Sequence, residues 1–200
     1  MFDPDVTGRN YDKIAQWWHE QHAASEYGLL TLRRAMGFCK NTKTALDVGC
    51  GAGGRFVRTM ESGGFWVTGV DVSCEMVKLA KKANPEHTFI HADICTWETD
   101  EKFDLITAWD SIFHLPLTMH EPVLKKLCDM LKPDGVLMYT FGDAEGEHTD
   151  TWHNEQYYYS SVGIKGNIEI LGNCGLTPVH LELDQFPLNH AVIIGCKRNV

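Results

Sequence analysis

The sequence predicts an α/β fold: a doubly wound, mostly parallel sheet with one antiparallel strand near its edge, helices on both faces and a helical N-terminal cap. Three observations predict it. Short apolar runs alternate with amphipathic stretches of helical length, the mark of βαβ units. A glycine-rich turn, Gly49-Cys50-Gly51-Ala52-Gly53-Gly54, joins the first run to the stretch after it. The last two runs lie too close for a parallel crossover, which needs about a dozen residues or more, so they pair antiparallel.

The first forty residues read as the cap. Tyr11, Ile14, Ala15 and Trp18 recur at spacings of three and four, and Leu29, Leu30, Leu32, Ala35 and Met36 continue the pattern after Gly28. Residues 44–48 form the first strand, and the helix carrying Phe56, Val57 and Met60 is closed by Gly63-Gly64. Residues 65–70 are the second strand. Residues 73–83 make a helix with Ser73 as N-cap and Glu75 in its first turn. Strands follow at 87–91 and 103–109, the latter rich in β-branched and aromatic residues. A helix bearing Val123, Leu124, Leu127 and Leu131 runs into Lys132-Pro133-Asp134-Gly135, read as a type I turn, and residues 136–141 form the fifth strand. Residues 142–161 read as a long polar loop, 162–174 as a helix stopped by Gly175, and 178–184 and 191–196 as two strands joined through Pro187 and Asn189.

Two hundred residues suit one domain: a cap over 1–40, a core over 41–142, and a substrate-side loop, helix and final antiparallel strands over 143–200. A hydrophobic share of 44% suffices for a core without disulfides or a structural metal. No apolar run approaches the roughly 18–20 residues of a membrane span, which argues against a membrane partner. Acid stands near the N-terminus (Asp3, Asp5) where an export signal carries positive charge. Seven cysteines, an odd set with no C-x-x-C pair, fit a reduced cytoplasmic interior. With 18 basic against 27 acidic residues, net −9, and the basic ones scattered, a nucleic-acid surface is not expected.

Gly49, Gly51 and Gly54 satisfy G-x-G-x-x-G between a strand and a helix, the setting for an adenosine cofactor at a helix N-terminus. Asp71, 22 residues after Gly49 at the end of the second strand, stands where a carboxylate takes ribose hydroxyls. Asp47 helps to choose between a dinucleotide and S-adenosylmethionine. A pyrophosphate on the loop would face this carboxylate, and like charges about 5 Å apart at an effective dielectric of about 20 repel by roughly 3 kcal/mol. The ammonium and sulfonium of S-adenosylmethionine reverse that sign. An NAD(P)-dependent reductase and a non-catalytic S-adenosylmethionine-binding protein remain as alternative readings.

These residues resemble the class I S-adenosylmethionine-dependent methyltransferase family, small-molecule type. The resemblance rests on Leu46-Asp47-Val48-Gly49-Cys50-Gly51-Ala52-Gly53, Gly69-Val70-Asp71-Val72-Ser73 and His91-Ala92-Asp93-Ile94. Phe103-Asp104-Leu105-Ile106 and Leu131-Lys132-Pro133-Asp134-Gly135 complete the set, in order. It implies a Rossmann-like seven-stranded sheet and S-adenosyl-L-methionine as methyl donor, with S-adenosyl-L-homocysteine as product. It also implies roles. Asp47 faces the cofactor's amino group, and Gly49, Cys50 and Gly51 cradle its methionine half. Asp71 holds the ribose. Val72, Ile94 and, more loosely, Met76 flank the adenine, whose amino hydrogen Asp93 accepts. Trp109 and Asp110 border the methionine moiety and the substrate mouth.

No catalytic residue follows from the sequence; His114, Tyr11 and His153 are weak candidates for a base or orienting group. Substrate-side candidates are Tyr11, Trp17 and Trp18 on the cap, His114 after the fourth strand, His153 and Tyr157 in the polar loop, and His190. A metal site on His148 and His153 with Asp143, Glu145, Glu147 and Asp150 is the rival for those histidines, and no metal is expected. The expectation is a monomer or homodimer acting on a small molecule.

Overall fold

A computed structural model describes residues 3–185 and 189–198. The cap comprises α1 (Pro4–His22) and α2 (Leu29–Phe38). The core alternates β1 (Thr44–Val48), α3 (Arg55–Ser62), β2 (Trp66–Asp71), α4 (Cys74–Ala83), β3 (Thr88–His91), β4 (Phe103–Ala108), α5 (His120–Met130) and β5 (Leu131–Gly142). The tail holds β6 (Glu145–Trp152), β7 (Glu155–Val162), α6 (Gly163–Asn173), β8 (Leu176–Leu183) and β9 (His190–Lys197). Seven strands form one sheet in the order β3-β2-β1-β4-β5-β9-β8. The core strands pair in parallel, and β9 runs antiparallel between β5 and β8. The expected sheet is therefore present, with its reversed strand one place in from the edge. Pro187, expected in the β8–β9 connection, lies outside the described residues.

Local chemistry accounts for the elements. Ser73 caps α4 by accepting from the Met76 amide at 3.2 Å. Gly64, left-handed at φ +87°, lets the Phe65 amide donate back to Met60 O at 3.1 Å and closes α3. Val57 and Met60 are fully buried from that short helix, each contributing roughly 1.5–3 kcal/mol. They pack with Leu32 and Ala35 of α2 and Val77 and Ala80 of α4 on one face of the sheet. Leu124 and Leu127 of α5 and Leu171 of α6 cover the other. No helix among the described residues is long and apolar enough to cross a membrane.

Two expectations need correction. Residues 142–161 are a β-hairpin, not a loop: β6 pairs antiparallel with β7 from Glu145↔Val162 to Trp152↔Glu155. Its turn residues His153 and Asn154 both have positive φ (48° and 63°), as a two-residue type I′ turn demands. The Lys132–Gly135 turn has Asp134 at φ +61°, which excludes type I geometry, where the third residue stays at negative φ.

Candidate active site

The sheet order reverses between β1 and β4, and a crevice opens beyond the carboxyl ends of these strands, where open α/β sheets bind ligands. The glycine loop forms its floor. Gly49 is left-handed (φ +69°), and a Cβ there would come 2.2 Å from Ser111 Cβ, so only glycine fits. The amides of Gly49 and Cys50 both donate to Val70 O, at 2.8 and 3.2 Å, which ties the loop to the end of β2.

Asp71 staples the same joint. One carboxylate oxygen accepts from the Gly51 amide at 2.7 Å, the other from the Ser73 amide at 2.8 Å. Burial nonetheless pushes its pKa up, against the pull of those two donors. Asp47 lies deeper, 4% exposed, and accepts a 2.6 Å hydrogen bond from the Thr107 hydroxyl. Burial dominates here too and raises its pKa to about 7. Arg55 at the start of α3 lowers it only in part. A buried acid this poorly compensated suits a cationic ligand group and opposes a phosphate, so the residues present fit an adenosine ligand bearing positive charge.

All eleven residues expected on the cofactor side, from Asp47 through Asp110, line this crevice. Asp93 also closes a turn, its carboxylate accepting from the Cys95 amide at 2.8 Å. Cys50 is buried with its thiol pKa pushed well up by desolvation, so it stays protonated. The substrate-side set divides. Tyr11, Trp18 and His114 line the crevice; Trp17, His153, Tyr157 and His190 do not. Trp17 packs outside against His153, ring centroids 4.3 Å apart. Tyr157 backs Tyr11 from behind at 5.2 Å, and His190 stands behind Asp110. His148 stacks on Tyr159 instead of joining His153, and no metal-binding cluster of His, Cys, Asp or Glu occurs among the described residues.

Tyr11 and His114 form a defined pair. His114 Nδ1 lies 2.8 Å from Tyr158 O, and a carbonyl only accepts, so Nδ1 carries the proton. Nε2 is then the acceptor and takes the Tyr11 hydroxyl hydrogen across 3.1 Å. Burial lowers the His114 pKa to about 4, which keeps the ring neutral. The sequence reading missed Arg55, which lines the crevice, donates from Nε to Tyr27 O at 2.6 Å and lies over the Phe56 ring. Its one signal was its place directly after the glycine loop, where a lone arginine reads as surface charge.

Comparison with known proteins agrees with this geometry. A family described as "Methyltransferase domain" matches residues 45–135. Trans-aconitate 2-methyltransferase of Escherichia coli (strain SE11) is 30% identical over 137 residues, 66% of this chain and 52% of the relative. Phosphoethanolamine N-methyltransferase of Plasmodium falciparum (isolate 3D7) is 31% identical over 150 residues, 70% and 55% respectively. Residues 45–135 are by these matches a methyltransferase domain, of the kind the sequence resembles.

The chain spans about half the length of the curated methyltransferases it matches. Solved methyltransferases share its fold over nearly the whole chain. One from Clostridium acetobutylicum superposes with TM-score 0.73 at 14% identity, covering 95% of this chain and all of the other. The 1,6-didemethyltoxoflavin-N1-methyltransferase of Burkholderia thailandensis, solved with that substrate and S-adenosylhomocysteine, gives 0.75 at 18% identity, covering 100% and 92%.

Proposed function

We propose that this methyltransferase domain transfers the methyl group of S-adenosylmethionine to an oxygen, nitrogen or other nucleophile of a small molecule. The observation that carries the reading is the acidic wall: Asp47, buried and underprotected, beside Asp71 on the glycine-loop side of one crevice. Asp47 would face the cofactor's ammonium and Asp71 its ribose hydroxyls, while Val72, Met76, Asp93 and Ile94 bound the adenine. Trp109 and Asp110 border the methionine end. The bound cofactor supplies an electrophilic methyl on a sulfonium.

The chain's own work is then to hold a nucleophile in line and dry. Tyr11 and His114 suit that task. With its hydrogen committed to His114 Nε2, Tyr11 Oη offers lone pairs to a hydrogen on the incoming nucleophile. A proton released there has a path through Tyr11 to His114, whose Nδ1–H is already anchored on Tyr158 O. The relatives act, by name, on trans-aconitate and phosphoethanolamine, both small molecules, which supports the substrate class without choosing a member.

The same reading has the protein working in the cytoplasm, as a monomer or homodimer, without nucleic acid; its net charge of −9 supports the last point. Titration calorimetry tests the cofactor: micromolar binding of S-adenosylhomocysteine with none of NADH is expected, and the reverse result ends the proposal. Turnover of methyl-labelled S-adenosylmethionine across a metabolite panel tests catalysis. Silence across a broad panel despite tight cofactor binding would favour a non-catalytic binding protein.

A further inference from the structure

Asp110 leaves β4 in a left-handed conformation, φ +51°, a costly backbone state for a residue with a side chain. It is held there from one side only. Its Oδ1 accepts from His190 Nε2 at 2.9 Å and from the Thr140 hydroxyl at 3.3 Å. The Asp110 amide donates to the same Thr140 oxygen at 2.8 Å. Among the described residues Oδ2 has no hydrogen-bond partner, and Asp110 lines the crevice.

His190 is gripped from both ends. While Nε2 donates to Asp110, Nδ1 donates to Asp184 Oδ1, and the Tyr27 hydroxyl donates to Asp184 Oδ2 at 3.0 Å. Both ring nitrogens serve carboxyl groups, an arrangement that the doubly protonated imidazolium satisfies with two ionised carboxylates. The side chains of His190 and Asp184 are 15% and 10% exposed, so the clamp is shielded from water. The groups facing the ring are Asp110 beyond β4, Asp184 beyond β8, and the aromatic faces of Tyr27, Trp109 and Phe113. Arg55 of α3 bears on Asp110 from the crevice side. Burial pushes the His190 pKa down, but hydrogen bonds and charge from the two carboxylates outweigh it and raise it overall.

We propose that His190 is a positioning residue: held between Asp110 and Asp184, it fixes the Asp110 carboxylate so that Oδ2 faces the cationic centre of the transfer reaction. Asp110, Tyr11 and His114 line the same crevice. His190 cancels one carboxylate's worth of repulsion between Asp110 and Asp184 and leaves the free oxygen aimed. The proposal rests on the methyltransferase reading above, and its test separates the two.

The probes are S-adenosylhomocysteine, neutral at sulfur, and sinefungin, which carries an ammonium-bearing carbon in place of the sulfonium and its methyl. Calorimetry should find that His190→Gln weakens sinefungin about 5- to 10-fold while S-adenosylhomocysteine changes less than about 2-fold. Asp110→Asn should do the same, and the double variant should add little. A purely structural clamp would shift both ligands equally or neither, and either result overturns the proposal. Wild-type protein provides a measurement that needs no variant. Imidazole ¹⁵N spectra should find both His190 nitrogens protonated at pH 7.5, and a neutral tautomer there overturns the proposal. Failure of wild type to bind either probe would instead overturn the cofactor reading.

Discussion

The Asp12 carboxylate on α1 accepts a 2.6 Å hydrogen bond from the Ser73 hydroxyl at the head of α4, so the cap shares that helix's N-terminus. The same oxygen accepts from the Glu75 amide at 2.9 Å. Nearby, a Cβ on Gly8 of α1 would come 2.4 Å from Val72 O, so the two backbones are in contact. The cap wall of the crevice, carrying Thr7, Tyr11 and Trp18, is thus seated by a cap bond and a glycine.

Asp12→Ala should therefore cost about 1 kcal/mol of stability, the usual loss of a cap acceptor. That corresponds to a fall in Tm of roughly 2–4 °C for a chain of this size. Gly8→Ala should act on binding instead, because a methyl group against a carbonyl oxygen lifts α1 from the cofactor side. We expect about 10-fold weaker S-adenosylhomocysteine binding with unchanged circular dichroism. Full affinity in Gly8→Ala would show that the cap is not part of the cofactor wall.

Asp47 sets opposite demands on folding and binding. Its folded pKa, about 7, lies above the unfolded value near 3.9. Between these values the unfolded chain ionises while the folded one stays protonated, so the unliganded protein loses stability as pH rises from about 4 to about 7. A cationic ligand favours the ionised form, so affinity should rise through the same window and level off above about pH 7. Asp47→Asn keeps an acceptor for Thr107 and removes the charge. It should raise the ligand-free Tm at pH 8 by about 2–6 °C, weaken S-adenosylhomocysteine at least about 10-fold, and flatten the pH profile of binding. A variant less stable than wild type at pH 8 would contradict the argument.

On the proposed reading Asp71 combines two tasks, binding the ribose and holding two amides. Losing an acceptor of buried ribose hydroxyls costs about 1.5–3 kcal/mol of affinity. Because Asp71 also staples the Gly51 and Ser73 amides, Asp71→Ala should lower Tm as well, by several degrees. Calorimetry alongside thermal melts checks both. Lost stability with unchanged affinity would leave Asp71 as a structural staple and move the ribose elsewhere.

Much of this molecule was legible in order of locality. The glycine loop, the Ser73 cap and the position of Asp71 depend on a few neighbouring residues, and their spacing states the backbone geometry directly. The hairpin was not legible, because β6 is exposed along almost its whole length and carries no buried alternation to mark a strand. Its turn uses His153-Asn154, where only the asparagine hints at a left-handed pair. Trp17 and His153 each read as functional, yet they satisfy one another outside the crevice. His190 belonged to the site only through Asp110, whose left-handed backbone no local pattern announces.

Tyr11 and His114, 103 residues apart, could be named singly from sequence but joined only by the fold. Their hydrogen bond has a fixed direction, since Tyr158 O holds the proton on His114 Nδ1. Tyr11→Phe preserves the ring that packs on Trp18 and Tyr157 and deletes only the hydroxyl. S-adenosylhomocysteine binding should change less than about 2-fold, while kcat for an acceptor that turns over should fall by about 10²–10⁴, the usual share of a positioned proton-handling group. His114→Asn should lose rate similarly, and the double variant should lose little more, because the two act as one unit. Rate losses that multiply would mean that Tyr11 and His114 serve the nucleophile separately, and a Tyr11→Phe enzyme with wild-type kcat would leave the pair as packing alone.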